Sequence, residues 1–560
     1  MRSAIGSASW LAAAACAALL VPAPAQAQPA PATPHPIAEA VRVNVVNVEV
    51  WVTGRDGRPV LDLRPEEFAL REDGKSVALT NFLPPAAPAP VSAAAPPTAE
   101  AISVPPAEEQ QRALIVFVDD LNLSRVTRLS VLDRLGPFLD EQLRNGDRVA
   151  ILDFDLNLRQ LTPLTSDRSA AAAGLEQLRR VANEGSMVRA QRDRILADTG
   201  RGAVLDAGTG GDMARRGLLD EARWSGEEQA YRQEALLRSL QRLVDSLAGM
   251  PGRKALLYVS DGISVNPGSD VLAEAGAQFG AAAGAADGVV SQNIRLRLRD
   301  VARHANAGRV TFYTINLPTP GGDITAERGG IPSAMNPDVI DAIDRDFSLN
   351  QFTSTTGGQR LFNTDMLPRM AMDLDAAYSL GYSPEHFGDG DYHRLAVAVS
   401  RPGVSVRCRE GYLDKTPEQR EADTTGAALF AGGNGNPLEA RVVIGTPQTK
   451  GRGKVLLPLT VLVPARNLLL AESGAARKGQ VSITIAAATA GGARSEVAHR
   501  SFPIRVPAER VAPFLQHDVS FEFSLLLDAG AVTIAVTARD DPAELESVVV
   551  TSVGGAPAAS

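Results

Sequence analysis

In residues 113–124, ALIVFVDDLNLS, an apolar run is followed by a group of oxygen-bearing side chains. Asp120, Asn122 and Ser124 stand at alternate positions directly after the apolar run, which has the composition of a buried strand. Carboxylate, amide and hydroxyl oxygens are the ligands that a hard divalent cation such as Mg²⁺ or Mn²⁺ takes in octahedral geometry. The spacing therefore predicts a cation site at the carboxyl end of this strand.

A second acidic residue follows another predicted strand. Asp261 stands at the end of the apolar segment 255–259 and is followed by Gly262. Ligands of open α/β sheets bind beyond the carboxyl ends of the strands, and two acids that face each other there are costly without a cation between them. Helix capping by Asn122 and Ser124, beside a simple Asp–Gly turn, is the alternative explanation. Capping alone does not require an acid at both strand ends.

The elements that must position these residues alternate between strand and helix over residues 111–377. Alternation of this kind requires crossover connections, so it predicts a doubly wound α/β domain with a mainly parallel sheet. Residues 227–247 are predicted to be one long amphipathic helix. Residues 184–225 and 264–290 are rich in Gly and Ala and poorly periodic, and are predicted to be insertions at the rim of the sheet.

The rest of the chain divides by composition into β-rich segments and linkers. The predicted organisation is a signal peptide (1–27), a linker (28–40), an N-terminal β unit (41–82), a Pro/Ala-rich linker (83–110), the α/β domain (111–377), strands that complete the N-terminal β unit (378–414), a second linker (415–437) and a C-terminal β-sandwich (438–555). The α/β domain is thus predicted to be inserted between the strands of a β-sandwich.

The N-terminus has the features of an export signal. Arg2 precedes an apolar run over residues 10–25, and the run ends in the small-x-small pattern Ala25-Gln26-Ala27. The run is too short and too Ala-rich for a membrane span, and no later segment is long and apolar enough to be one. We therefore expect a protein exported to the periplasm or the medium. Cleavage would leave Cys408 as the single cysteine, without an internal disulfide.

Composition and motifs argue against two functional classes. The 560-residue chain has a net charge of -9, whereas binding to nucleic-acid phosphates requires a surplus of Lys and Arg. No G-x-S-x-G or H-E-x-x-H pattern occurs, and the glycine-rich GTGGD (residues 208–212) lacks the Lys-Ser/Thr of a phosphate-binding loop. We expect no nucleic-acid partner and no enzymatic activity.

The pattern of Asp120-x-Asn122-x-Ser124 followed by a strand that ends in Asp261-Gly262 resembles the von Willebrand factor A (VWFA) domain. More narrowly, the chain is similar to the VWFA-related proteins of acidobacteria and allied bacteria. The segments GDRVAILDFDLNLRQLTPLTSDR, KALLYVSDG and YSLGYSPEHFGDGDYHRLAVAVS contribute to this resemblance, which covers roughly residues 41–413.

The resemblance implies a metal-ion-dependent adhesion site (MIDAS). In A domains this site consists of an Asp-x-Ser-x-Ser turn, a Thr from a later loop and an Asp from a later strand, around Mg²⁺ or Mn²⁺. Asp120 and Ser124 match the turn, Asn122 replaces its first Ser, and Asp261 matches the final Asp. The usual Gly-Gly-Thr is absent, and Ser186 in NEGSM is the nearest counterpart of its Thr.

Three functional hypotheses follow from these residues. The first is an exported binding protein that engages a protein or peptide ligand, whose acidic residue completes the shell of the cation. The second is a structural or scaffold protein of the cell envelope with a degenerate, metal-free A domain. The third, a metal-assisted hydrolase, would need Asp119 as its base. We expect Asp119 instead to lie on the opposite face of the strand end and to brace Asn122 or a helix N-terminus.

A second group of potential metal ligands lies in PEHFGDGDYH, residues 384–393. His386, Asp389, Asp391 and His393 fall within one short loop. They indicate either a second metal site or a polar hairpin loop in which Gly and Asp provide turn geometry. The resemblance favours the polar loop, since it implies polar turns without ligand function at this position.

Overall fold

The described part of the protein begins after the predicted signal peptide. The computed structural model describes residues 45–85, 112–142, 146–181, 183–202, 209–279, 288–317, 337–433, 435–451, 453–489 and 494–554. The predicted signal peptide (1–27), the linker at 28–40 and nearly all of the linker at 83–110 lie outside these residues. Within them, no helix combines the length and the apolar character needed to cross a bilayer.

The N-terminal β unit consists of four strands. They are β1 (Val46–Gly54), β2 (Phe68–Glu72), β3 (Lys75–Val77) and β4 (Asn81–Leu83). Asp73 and Gly74 join β2 to β3 with φ angles of 47° and 83°. Two consecutive positive φ angles are typical of the tight turns that match the twist of a hairpin, as the Asp–Gly sequence predicts.

The central part of the chain is a mixed α/β domain, in agreement with the predicted class. Its elements are β5 (Arg112–Asp119), α1 (Arg125–Gln142), β6 (Arg148–Phe154), β7 (Leu158–Thr165), α2 (Arg168–Arg180), α3 (Glu184–Gly202), α4 (Thr209–Ala248), β8 (Arg253–Val259), α5 (Ser269–Phe279), α6 (Gly288–Ala307), β9 (Val310–Ile315), α7 (Pro337–Thr356), β10 (Arg360–Leu361) and α8 (Leu367–Ala376). Buried apolar side chains cover both faces of the sheet, which explains why its central strands are apolar throughout.

The strand order of the central sheet determines where a site is expected. The order is β10-β9-β8-β5-β6-β7, and all neighbours are parallel except the antiparallel pair β6 and β7. The chain proceeds from β5 to one side through β6 and β7, and then returns to the other side of β5 with β8. The strand order therefore reverses between β5 and β8, the position at which open α/β sheets bind ligands. Asp120 follows β5 and Asp261 follows β8.

The two segments predicted as irregular insertions are largely helical. Residues 184–225 contain α3 and the first part of α4, which begins at Thr209 rather than near residue 227, and residues 264–290 contain α5. Buried side chains from the three helices pack together in a small core of their own: Ile195, Ala222, Val271 and Leu272. This tertiary packing stabilises helices whose sequences show weak periodicity.

Strands on either side of the central domain pair with one another. After α8 come β11 (Tyr378–Tyr382), β12 (Tyr392–Val399), β13 (Val404–Cys408) and β14 (Gly411–Leu413). One sheet has the order β13-β1-β11-β4 and the other has the order β14-β12-β2-β3. Their facing side chains form one apolar core, so each sheet combines strands from before and after the central domain.

The segment predicted as a linker at residues 415–437 contains a helix, α9 (Pro417–Ala431). Thr416 and Gln419 form a capping box, and Pro417 occupies the first turn, where its missing N–H costs nothing. Ala427 and Ala428 are buried, the first against the central domain and the second against the C-terminal strands. The linker prediction is wrong here because the polar and Gly-rich composition concealed these capping and packing positions.

The C-terminal part is an antiparallel β structure. Its elements are β15 (Arg441–Ile444), β16 (Gln448–Gly451), β17 (Lys454–Pro464), β18 (Ala471–Ser473), β19 (Ala476–Thr489), β20 (Ala498–Pro507), α10 (Val511–Phe514), β21 (Asp518–Asp528), β22 (Val532–Asp540) and β23 (Leu545–Val553). One sheet is built on β17 and the other on β19 and β22. Alternate side chains of both sheets meet in one apolar core.

Candidate functional site

The ends of β5 and β8 lie side by side and bring the predicted site residues into contact. The Asp261 N–H donates to the Asn122 carbonyl (3.1 Å), and the Ser124 N–H donates to Asp261 Oδ2 (2.8 Å). All of Asp120, Asn122, Ser124 and Asp261 are buried. We call these four residues, together with Ser186, the switch-point site.

The carboxylate of Asp120 is already bonded to a guanidinium group. Arg128 Nε donates to Asp120 Oδ1 at 2.7 Å, and Arg128 Nη2 lies 3.4 Å from Asp120 Oδ2 and donates to the Leu178 carbonyl at 2.5 Å. The side chains of Asp120 and Arg128 are 0% and 4% exposed. Because an arginine side chain is not deprotonated in proteins, this positive charge is permanent.

A second carboxyl group lies against Asp120. Asp153, at the end of β6, pairs with Arg159, but its Oδ1 atom is buried without a hydrogen-bond partner among the described residues. Burial, followed by the charge of Asp153, raises the pKa of Asp120 to about 8 despite the opposing effect of Arg128. Two buried carboxyls in contact favour the retention of one proton between them, so the pair carries one negative charge beside Arg128.

The other strand-end acid is paired with a different arginine. Arg189, on α3, contacts Asp261 Oδ2 at 2.5 Å. Burial, and then the neighbouring charge of Arg345, lowers the pKa of Arg189, so this cation is itself partly desolvated. Asp261 Oδ1 is buried and has no hydrogen-bond partner within the described part of the chain.

The neutral ligands of the switch-point site are bonded to other side chains. Asn122 Oδ1 accepts from Gln233 Nε2 at 2.8 Å, and Asn122 Nδ2 donates to Asp119 Oδ2 at 2.9 Å. Ser124 Oγ accepts from the Thr127 N–H at 3.2 Å and donates to Thr127 Oγ1 at 2.8 Å. Ser124 therefore caps α1, which is the alternative that the sequence left open.

Ser186 lies beside the site, but its hydroxyl is directed elsewhere. Its Oγ and its N–H both bond to Asn183 Oδ1. The preceding residue, Gly185, donates its N–H to the Asp120 carbonyl at 2.7 Å. A Cβ at Gly185 would lie 2.5 Å from the Leu123 carbonyl oxygen, so only glycine permits this approach of α3.

Asp119 has the bracing role that the sequence predicts for it. Its carboxylate accepts hydrogen bonds from the N–H and Nδ2 of Asn122, from Tyr258 Oη at 2.6 Å and from Ser260 Oγ at 2.9 Å. Burial is the larger effect and raises its pKa overall, although these hydrogen bonds oppose it. A carboxylate held by four donors in the protein interior is not placed to take a proton from water.

Sequence reasoning missed the groups that neutralise the site: Arg128, Arg189 and Gln233. A signal existed for Arg128, because it is in helical phase with Val131, Leu132 and Leu135 on the buried face of α1. A charged residue in an apolar stripe needs a buried partner. Arg189 had no comparable signal, since α3 was itself not predicted, and Gln233 lies in the predicted helix at 227–247 but contacts Asn122, 111 residues away in the sequence.

The residues present do not fit the resident divalent cation that the resemblance implies. Each strand-end acid is bonded to an arginine, and the neutral ligand atoms have protein partners. A divalent ion would have to lie close to two guanidinium groups that cannot lose their charge. Among the described residues, Asp261 Oδ1 is the single predicted ligand atom that is buried without a hydrogen-bond partner.

The comparisons with known proteins add only distant similarities. No protein-family model and no curated protein matches the chain. Similar solved structures are BatB from Bacteroides thetaiotaomicron (11% identity, 47% of this chain and 97% of that chain, TM-score 0.23) and an aerotolerance-related membrane protein from Bacteroides fragilis (11%, 47% and 98%, 0.22). Proximal thread matrix protein 1 from the mussel byssus, with a zinc-occupied MIDAS motif, is 11% identical over 48% of each chain, with a TM-score of 0.21. The assignment of the central domain to the α/β class therefore rests on its own strand order.

Proposed function

We propose that this chain is an exported, non-catalytic binding or scaffold protein whose A-domain-like module functions without a resident metal ion. The observation that carries the proposal is the pairing of both strand-end acids with arginine, Asp120 with Arg128 and Asp261 with Arg189. In a MIDAS the cation would neutralise these acids. Here two side chains of the protein itself do so.

Electrostatics favours the arginines over an incoming ion. Arg128 is buried, and it donates to the Leu178 carbonyl as well as to Asp120. Displacement of Arg128 from these groups by an ion would leave its desolvated charge without partners. Breaking a buried ion pair costs about 3–5 kcal/mol. Mg²⁺ would add to this cost because it dehydrates reluctantly.

The surroundings of the site support a protein or peptide partner. Four exposed apolar side chains lie on segments at the carboxyl edge of the sheet: Val126, Leu129, Leu156 and Met187. Arg189 is 31% exposed and borders the site. A partner that covers the apolar side chains would meet this guanidinium, so the expected acidic residue of the partner contacts Arg189 rather than a metal ion.

The test is a calorimetric titration of Mg²⁺ into the full chain after treatment with a chelator. We expect no saturable heat from binding, and the same thermal unfolding temperature in EDTA and in excess Mg²⁺. Asp120→Asn serves as the site variant, and Asp133→Asn is the matched control because Asp133 is an exposed acid that also pairs with an arginine.

Two observations favour the MIDAS as the second candidate. Asp261 Oδ1 is buried without a donor among the described residues, and Asp120 and Asp153 form a repelling pair that a cation would also satisfy. Saturable Mg²⁺ binding that Asp120→Asn abolishes and Asp133→Asn retains would overturn the metal-free proposal. Binding of an acidic peptide would then have to be sensitive to chelation.

A further inference from the structure

Two histidines stack against each other at the edge of the N-terminal sandwich. His386 and His393 lie in and after the loop between β11 and β12, with ring centroids 3.8 Å apart and an interplanar angle of 13°. Four carboxylates surround the two rings: Glu72, Asp73, Asp389 and Asp414. We call these six residues the histidine cluster.

The outer nitrogen of each ring faces a carboxylate that is held in place by other groups. His386 Nε2 lies 3.2 Å from Glu72 Oε1, which also accepts from Tyr382 Oη (2.5 Å) and Tyr412 Oη (2.7 Å). His393 Nδ1 lies 2.9 Å from Asp73 Oδ2, and the other oxygen of Asp73 accepts a backbone N–H. Each carboxylate favours a proton on the ring nitrogen that it faces.

The inner nitrogens converge on two other carboxylates. His386 Nδ1 lies 2.9 Å from Asp414 Oδ2 and 3.6 Å from Asp389 Oδ2, and His393 Nε2 lies 3.1 Å from the same Asp389 oxygen. The loop backbone fixes both acids, because the Gly388 N–H donates to Asp414 (2.6 Å) and the Asp391 N–H donates to Asp389 (2.8 Å). His386 Nδ1 and the two carboxylates therefore lie close together, whereas His393 Nε2 reaches only Asp389.

This arrangement has the two layers of a metal centre. A histidine that ligates a metal ion usually donates its other N–H to a carboxylate, which fixes the tautomer and raises the basicity of the ligand. Glu72 occupies that outer position for His386, and His393 contacts Asp389 from the other side. Ligand atoms of His386, Asp389 and Asp414 lie within 4.8 Å of one another, close enough to share one ion.

The charge of the histidine cluster also favours a cation. Among the described residues, the ion pairs of its four carboxylates are all with these two histidines. Four carboxylates exceed the charge of two imidazoles even when both are protonated. No arginine of the described residues neutralises the cluster in the way that Arg128 neutralises Asp120.

We propose that the histidine cluster is a transition-metal site, in which His386 Nδ1, Asp389 and Asp414 bind one Zn²⁺-class ion and leave a fourth position open. Mixed imidazole and carboxylate ligands suit Zn²⁺, Co²⁺ or Ni²⁺ better than Mg²⁺ or Ca²⁺. The ion would join the loop between β11 and β12 to the end of β14, where Asp414 lies. Glu72 is a positioning residue, since it acts through His386.

The experiment is a calorimetric titration of Zn²⁺ into the chelator-treated full chain, in excess Mg²⁺ to occupy any magnesium site. We expect one saturable Zn²⁺ per chain at the cluster. Removal of an inner ligand, by His386→Gln or Asp389→Asn, should weaken binding by more than about 100-fold, and Glu72→Gln should weaken it by about 10–100-fold. Co²⁺ bound in place of Zn²⁺ should show visible absorption bands that both inner-ligand variants lose.

The matched control is His304→Gln. His304 is also a histidine beside an aspartate, Asp245, but it has no further acidic neighbour in an ion pair within the described residues. Asp389→Asn keeps the test decisive should His386→Gln fail to fold, because Asp389 lies on a surface loop and is one-third exposed. No saturable Zn²⁺ binding, or binding that neither inner-ligand variant weakens, would overturn the proposal.

Discussion

The switch-point site and the histidine cluster both gather carboxylates at the ends of strands, but different residues neutralise them. At the switch point Arg128 and Arg189 bind the acids directly. In the cluster His386 and His393 lie between inner and outer carboxylates. The acids of the switch-point site, which resembles a known metal site, are thus bonded to permanent positive charges. The loop of the histidine cluster, predicted to be a simple turn, has the better set of metal ligands.

The difference follows from the chemistry of the two cations. An arginine holds its proton at any accessible pH and has no lone pair to offer, so it competes with a metal ion for carboxylates. A histidine can exchange its proton for a metal ion. Burial lowers the pKa of His393, but hydrogen bonds to Asp73 and Asp389 raise it above its ordinary value overall, which shows that the position favours a positive charge.

The largest effect should come from Asp120→Ala. This change leaves Arg128 buried and without its carboxylate, which costs about 3–5 kcal/mol of unfolding free energy. Thermal or urea unfolding of the full chain would measure the loss. The double variant Asp120→Ala/Arg128→Met should recover most of it, since neither charge is then left alone.

The stability of Asp120→Ala distinguishes a switch-point site neutralised by arginine from one that binds a metal ion. A metal site in which Asp120 and Asp261 repel each other would become more stable without the metal ion when Asp120 is removed. A gain in stability for Asp120→Ala would therefore contradict the proposal of neutralisation by arginine. Asp133→Ala, the exposed control, should change stability by less than about 1 kcal/mol.

The next effect concerns the packing of α3 against the strand end. Gly185→Ala would place a methyl group 2.5 Å from the Leu123 carbonyl oxygen and 2.7 Å from that of Asp120. Overpacking of this kind costs about 1–3 kcal/mol. Gly217→Ala is the control, because this glycine lies in α4 with open space around it. The substitution should raise the unfolding free energy by about 0.5–1 kcal/mol. Equal effects of the two substitutions on the unfolding midpoint would contradict the close approach of α3.

The sequence predicted the central fold and the position of the site better than the state of the site. Apolar strands that end in Asp120 and Asp261 determine where the carboxyl ends meet, because strand order and crossover handedness leave few alternatives. Arg189 comes from α3, a helix of weak periodicity whose formation depends on tertiary packing. The contact of Glu72 with His386, 314 residues apart, leaves no local pattern in the sequence.

The stability of the protein should depend on pH through the proton that Asp120 holds in the switch-point site. The folded-state pKa of Asp120, about 8, exceeds its ordinary value of 3.8, so the folded state holds this proton more tightly. Its stabilisation is complete below about pH 4 and is lost as the pH rises through 8. The unfolding free energy should fall by about 1.4 kcal/mol per pH unit from pH 5 to 7, and by about 1.4 kcal/mol in all between pH 7 and 9, where it levels off. Urea unfolding across this range would measure the slope.

Asp153→Asn provides the comparison for this slope. An amide at position 153 removes the repulsion and can donate to Asp120, so the decline between pH 7 and 9 should become flatter than in the unaltered chain. The difference between the two proteins isolates this pair from other titrating groups. An identical slope in both would show that Asp120 and Asp153 do not share a proton.

The smallest effect should come from Arg189→Gln, which brings the switch-point site closest to a MIDAS. Arg189 is partly exposed, so loss of its pair with Asp261 should cost only about 1 kcal/mol. The freed Asp261 carboxylate already has one buried oxygen without a donor in the described part of the chain, and excess Mg²⁺ should restore the lost stability of this variant alone. Thermal unfolding with and without Mg²⁺ would measure this. An equal response of the unaltered chain would mean that Arg189 does not take the place of a cation, and the contrast with the histidine cluster would then disappear.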